Sequence, residues 1–426
     1  MSPTSLLCAC SVKELLEGLS SGAVSADEIL NSCLGRIRLR EAEVKAWAYL
    51  DSDNGFAAKK ALSRKKKNEK LRGIPFAAKD VFEVASTPKS YGSQLYAAEI
   101  SKSSSSVVDK LVAAGAVFLG KTVTAEFALY KPGATCNPHN IEHSPGGSSS
   151  GSAAAVADCQ APIALGTQTA GSIVRPASYC GVIGYKPTLG RYSTTGVLET
   201  SPTLDTVGFF CRAAKDASLI DEVLAEREPV NSTGEDPHKF TVGIYQHQSI
   251  TEASPAVRAA MEVVETKFPI EMFDVKQVKP NSRFLDLNNI HKIVHAFEAR
   301  RSLLSLEGFQ ISGVGSLTKE FLDSAQSISE LEYDDALGRL LQLRERSLEV
   351  FEGCDVLVAP AAPDYAPHGI EGTGDPVFNR MWTALGVPCA AFPVIQLPGS
   401  LPLGLTLIGR PDEDQKLLKI LQLMTP

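Results

Sequence analysis

The chain has 426 residues, 44% hydrophobic and 21% charged, with a formal net charge of −7. That balance builds a sizeable soluble core, either one large α/β domain or two to three ordinary ones, and the negative charge argues against a nucleic-acid-binding surface. Nine cysteines, an odd number in scattered apolar settings, exclude a disulfide framework and point to a reducing, cytoplasmic setting. No apolar run reaches the roughly 18 residues of a membrane span, and the N-terminus is too polar after Cys10 for a signal peptide.

In chain order, Ser11-Val12-Lys13-Glu14 and Ser25-Ala26-Asp27-Glu28 read as capping boxes opening two helices, with Gly22 in the turn between them. A strand, Val44 to Leu50, and a charged helix at about 57–67 follow. The basic run 64–67 reads as a solvated helix end. Val108 to Ala114 predicts a helix, Val117 to Gly120 a strand, Ala153 to Asp158 a helix and Ile163 to Gly166 a strand. The polar stretch 226–238 is linker-like. Beyond it come a strand at Phe240 to Tyr245 and a helix opened by Ser254-Pro255. Long helices at about 284–306 and 330–352 precede strands at Val356 to Ala359 and Leu403 to Ile408. Such alternation predicts a sheet covered by helices on both faces.

Two clusters of small residues carry the chemistry: Pro145-Gly146-Gly147-Ser148-Ser149-Ser150-Gly151-Ser152 and Gly166-Thr167-Gln168-Thr169-Ala170-Gly171-Ser172. Each puts a serine on a glycine-rich turn with no histidine beside it. A serine becomes a nucleophile only when a base removes its proton. The candidate base is Lys79, in Gly73-Ile74-Pro75-Phe76-Ala77-Ala78-Lys79-Asp80, because burial in an apolar stretch lowers a lysine's pKa. Ser172 is the candidate nucleophile. The backbone N–H groups of Thr169, Ala170, Gly171 and Ser172 itself, on a tight turn before a helix, form a candidate oxyanion hole. Small residues there allow a substrate carbonyl to come close. A phosphate-loop reading of 146–152 lacks the lysine it requires.

Other residues have weaker claims. Ser149 and Ser152 suit support of the turn and capping of the next helix. Asp80 orients nearby loops or forms a surface salt bridge. His291 and His295 have metal-ligand spacing but lack the glutamate of zinc proteases, so no metal site is expected. His139 and His143 flank the Ser148 turn. Tyr365, Phe378 and Trp382 suit an apolar acyl pocket or simple core packing.

These blocks, in this order, resemble the amidase signature family of Ser–Ser–Lys hydrolases. Further matching segments are Lys121-Thr122 with Glu126-Phe127-Ala128, Cys180 to Thr188, Leu204-Asp205-Thr206-Val207-Gly208, Asp355 to Pro360, Gly386-Val387-Pro388 and Leu403 to Pro411. The resemblance implies one α/β domain over 1–426, a mixed twisted sheet covered by helices on both faces. Its catalytic core would span about 70–215, a helical, pocket-forming part about 250–352, and sheet-completing strands about 353–426. It further implies that Ser148, after a cis Gly147-Ser148 bond, relays the proton between Ser172 and Lys79, with Gly147 and Ser149 in support. The implied activity hydrolyses a small-molecule carboxamide to carboxylate plus ammonia or amine. It needs no metal or organic cofactor, nucleic acid or membrane, and a homodimer fits the family.

The chain departs from the family where Gln168 replaces an aspartate, Ala170 a glycine, Ser150 a glycine and Val174 an arginine, the arginine lying one later at Arg175. Substrate-binding residues therefore stay unassigned. Two alternatives remain. One is the glutaminase subunit of a tRNA-dependent amidotransferase, which the Gln168 and Val174 departures and the length count against. The other is a catalytically silent scaffold, which the intact Lys79, Ser148 and Ser172 count against.

Overall fold

Strands buried on both faces read as continuous apolar runs, without alternation. The centre of this fold is made of such runs. A computed structural model describes residues 7–51, 69–225, 239–395 and 399–425. Its strands are β1 Trp47–Leu50, β2 Pro75–Lys79, β3 Val117–Thr122, β4 Ile163–Gln168, β5 Ile183–Lys186, β6 Thr206–Cys211, β7 Phe240–Tyr245, β8 Phe273–Val278, β9 Val356–Pro360, β10 Cys389–Ile395 and β11 Leu403–Gly409. They form one mixed sheet in the order β1-β3-β2-β4-β6-β5-β10-β11-β9-β7-β8. Every residue of β2, β4, β5, β6, β9 and β11 is buried, while the outer strands β1 and β8 are partly exposed.

Alternate residues of the central strands face two separate cores. Phe76, Ala78, Ile163, Leu165, Val207 and Phe209 join Ile220, Leu417 and Leu421 on one side. Ala77, Ala164 and Phe210 join Val156, Ala177, Ile290 and Leu340 on the other. The single domain is therefore a mixed α/β sheet with helices on both faces, as the alternation predicts.

Both predicted capping boxes form, at Ser11 with Glu14 and at Ser25 with Glu28. Ser254 caps its helix, with Pro255 in the first turn. The first strand starts at Trp47, not Val44. Val44 closes the helix Ala26–Val44, and Lys45 turns the chain in the left-handed region at φ 53°. The helix expected over 330–352 ends at Glu345 and continues as a 3-10 turn, Ser347–Phe351. The helix expected at 57–67, its basic run and the linker 226–238 lie outside the described residues.

Register positions the site. β2 and β4 run parallel, with Phe76 opposite Ile163 and Ala78 opposite Leu165, which brings Lys79, at the end of β2, within reach of Thr167 near the end of β4. β4 pairs antiparallel with β6. The point where strand direction changes, at the carboxyl ends of parallel strands, is where such sheets leave a crevice.

Candidate active site

Lys79 ends β2 with no exposed surface. Its Nζ lies 2.8 Å from Ser148 Oγ and 2.8 Å from Thr167 Oγ1. Burial lowers the amine to about 7, with Asp205 opposing that shift. Both partners are hydroxyls, which can donate or accept, so they suit the neutral amine as well as the charged one. Asp205 accepts from Thr169 Oγ1 at 2.5 Å and from the N–H groups of Thr200 and Ser201 at 2.7 and 2.9 Å. Desolvation lifts this half-buried carboxyl to about 6, against those hydrogen bonds and Lys79.

The Gly147-Ser148 peptide is cis. Ser149 Oγ donates to Thr167 O at 3.1 Å and accepts from Thr167 N at 3.4 Å. Ser152 Oγ donates to Leu165 O at 2.9 Å. Neither serine caps the helix Ser150–Ala157, contrary to the sequence expectation, because both side chains turn to the backbone of β4. Gly166 admits that approach: a Cβ there would lie 2.7 Å from the Phe210 ring and 3.1 Å from Ser149 Oγ.

Ser172 sits between β4 and the helix Val174–Cys180. Gln168 Oε1 accepts from the N–H groups of Ile173 and Val174, at 2.8 and 3.0 Å, at the start of that helix. Its Nε2 donates to Thr383 Oγ1 at 3.0 Å. An aspartate in that place would have no donor for the second contact. Arg175 Nη2 donates to Gly147 O and its Nε to Thr373 O, each at 2.7 Å, tying the Ser172 turn to the Ser148 turn.

Three carbonyls of the Ser172 turn are occupied. Thr169 O accepts from His291 Nε2 at 2.8 Å, Ala170 O from Thr383 Oγ1 at 2.7 Å and Gly171 O from Arg175 N at 3.0 Å. The N–H groups of Ala170, Gly171 and Ser172 donate to no described group. The Ser172 hydroxyl makes no hydrogen bond to a described residue, so the contact with Ser148 that a relay needs is not closed. Gly171 has a packing reason besides the expected substrate approach. A Cβ there would lie 2.4 Å from Asn379 Oδ1 and 2.8 Å from the Pro376 ring.

The remaining expectations sort by burial. Asp80 is no surface partner: it is 2% exposed and ion-paired with buried Lys121 at 2.5 Å. Trp382 and Phe378 pack in the core, against Tyr245 and His247, rather than around an open pocket. His139 Nε2 bonds Cys180 O at 2.9 Å, and His143 packs edge-on against His368. His291 is committed to Thr169 O, and no three His, Cys, Asp or Glu residues among those described gather to hold a metal. No described helix is long and apolar enough to cross a membrane. Sequence reasoning assigned no role to Thr167, Asp205 or Thr383. Only Asp205 had a signal, its place in the matching block 204–208.

Residues 28–418 match the sequence model of the Amidase family. A glutamyl-tRNA(Gln) amidotransferase subunit from Anaeromyxobacter sp. (strain K) is 30% identical, covering 98% of this chain and 96% of its own. The corresponding subunit from Acinetobacter baumannii is 32% identical, covering 96% and 94%. Among solved structures, an amidase superimposes with TM-score 0.87 at 27% identity, over 97% of this chain and 98% of its own. A chain from a vestigial protein complex bearing on the origins of an s-triazine catabolic enzyme superimposes with TM-score 0.86 at 25% identity, with the same coverage. With its mixed sheet and the paired turns at Ser148 and Ser172, the chain belongs to the amidase signature family of carbon–nitrogen hydrolases.

Proposed function

We propose that the protein hydrolyses a carboxamide through an acyl-enzyme on Ser172, with Lys79 as base and Ser148 as proton relay. The observation that carries this reading is a fully buried lysine, lowered to about 7, in contact with the hydroxyl of Ser148, on a turn that Arg175 ties to the turn of the unengaged Ser172. Neutral Lys79 takes a proton from Ser148 as Ser148 takes one from Ser172, whose Oγ bonds to the amide carbon. The oxyanion rests on the free N–H groups of the Thr169–Ser172 turn, those of Ala170, Gly171 and Ser172. The proton returns through Ser148 to the leaving nitrogen, the C–N bond breaks, and ammonia or an amine departs. Water then attacks the ester with the same base, releasing carboxylate. The scheme asks for no metal or organic cofactor. Nine cysteines outside any disulfide suit a cytoplasmic setting.

The test is the intact mass of the protein after a serine-directed fluorophosphonate. One adduct mapping to Ser172, absent from Ser172→Ala and much slower in Lys79→Ala, supports the scheme. A folded wild type that takes no adduct overturns it in favour of a silent scaffold. An amide panel with ammonia release then identifies substrates.

A second reading has equal support from eight similar curated relatives, each an amidotransferase subunit at 29–32% identity. In it, the amide is glutamine and the ammonia serves an amidotransferase. Glutamine hydrolysis that appears only with a partner protein favours this reading. Turnover of other carboxamides by the isolated chain, or by its homodimer, favours the first.

A further inference from the structure

We infer that His291 and Thr383 are positioning residues that hold the Thr169–Ser172 turn in the shape that receives an oxyanion. The inference rests on the hydrolase reading above. In a planar trans peptide the carbonyl and the N–H point in opposite directions, so fixing one aims the other. The peptides of this turn are trans. His291 holds the Thr169 carbonyl and thereby aims the Ala170 N–H away from itself. Thr383 holds the Ala170 carbonyl and aims the Gly171 N–H. In an extended chain successive carbonyls alternate sides. Here two successive carbonyls meet donors from helices Leu287–Leu304 and Arg380–Ala384, which pack against each other. Both N–H groups are left facing the other way, free of partners, as in an anion-binding nest.

The donors are themselves constrained. A carbonyl only accepts, so His291 must carry its proton on Nε2; burial and neighbouring His295 keep the ring neutral. Thr383 has one proton, and Ala170 O at 2.7 Å is closer than Asn379 O at 3.2 Å. Gln168 Nε2 occupies a lone pair of the same hydroxyl. His291 has no exposed surface and Thr383 none either, so each acts through the turn it grips.

The experiment compares Thr383→Val with Thr383→Ser, and His291→Leu with His291→Gln. Each pair first removes a donor and then restores one in nearly the same place. The readouts are the rate of fluorophosphonate labelling, kcat and KM separately on an amide that wild type hydrolyses, and the fraction folded by circular dichroism. Losing one oxyanion donor outright costs roughly 10²–10³-fold in kcat, so misaiming one should slow labelling and kcat roughly tenfold or more with KM little changed. Thr383→Ser and His291→Gln should recover the greater part of both rates. Labelling of folded Thr383→Val and His291→Leu at the wild-type rate overturns this inference and leaves the hydrolase reading standing. So does a loss that the donor-restoring variants fail to recover. A wild type that takes no label overturns both. If Thr383→Val or His291→Leu fails to fold, the other pair decides.

Discussion

Lys79 and Lys121 stand on adjacent parallel strands, neither with exposed surface. Burial pulls both amines down. Their partners differ. Lys121 is ion-paired with Asp80 at 2.5 Å and donates to Pro88 O at 2.9 Å. Among the described residues, Lys79 Nζ hydrogen-bonds to the hydroxyls of Ser148 and Thr167 and to no carboxylate. A carboxylate in contact holds the charged form of a lysine, whereas two hydroxyls serve either form. Burial alone therefore does not make a base. A base needs burial together with partners indifferent to its proton, and that separates a candidate catalytic lysine from a structural one on the neighbouring strand.

The largest test of this contrast is Lys79→Met. Amide turnover should fall roughly 10²–10⁴-fold, the usual worth of general acid–base catalysis, while the denaturation midpoint holds or rises. A variant that unfolds instead would make Lys79 structural like its neighbour. Lys121→Met should do the reverse. Breaking a buried pair strands Asp80 and should cost roughly 3–5 kcal/mol in urea unfolding, with turnover per folded molecule kept. Third comes pH. If neutral Lys79 is the base, kcat/KM should climb as pH rises through about 7 and then level. Stability should follow the same sign. The folded value lies below the unfolded one, so the unfolded chain binds the extra proton between about 7 and 10.5, and stability gains from this group as pH rises across that window. A profile flat across that range, with no slope lost in Lys79→Met, would remove the distinction. The smallest effect is expected from Asp205→Asn. Without the carboxylate that favours its charged form, Lys79 should lose its proton more readily, moving the acid limb of kcat/KM to lower pH.

Local signals were legible. The capping boxes at Ser11 and Ser25, and the Ser254-Pro255 start, depend on residues within one turn of each other, and all three form. The apolar setting of Lys79 likewise announced its burial. β2 was harder to see as a strand, since Ala77, Ala78 and Lys79 are poor strand formers that only flanking β3 and β4 make extended. β8, a partly exposed edge, gave no clear alternation. Roles set by distant contacts left no trace in the sequence. Asp80 pairs across to β3, and only the contact with Tyr245 decides Trp382 between pocket wall and core. Gln168 read as a departure, yet it bonds both the helix start and a threonine from the other end of the chain.

The grip on the Thr169–Ser172 turn also has a direction in time. Lys79, Ser148 and Ser172 leave the ribosome early, but the contacts to Thr169 O and Ala170 O come from 122 and 213 residues further along. β5 likewise waits for β10 to complete its pairing. A nascent chain that ends before Thr383 holds every residue of the candidate relay and lacks one of the two holds on its turn. Such a fragment could carry the chemistry's parts without its geometry, leaving the amides of its neighbours alone until synthesis is nearly done.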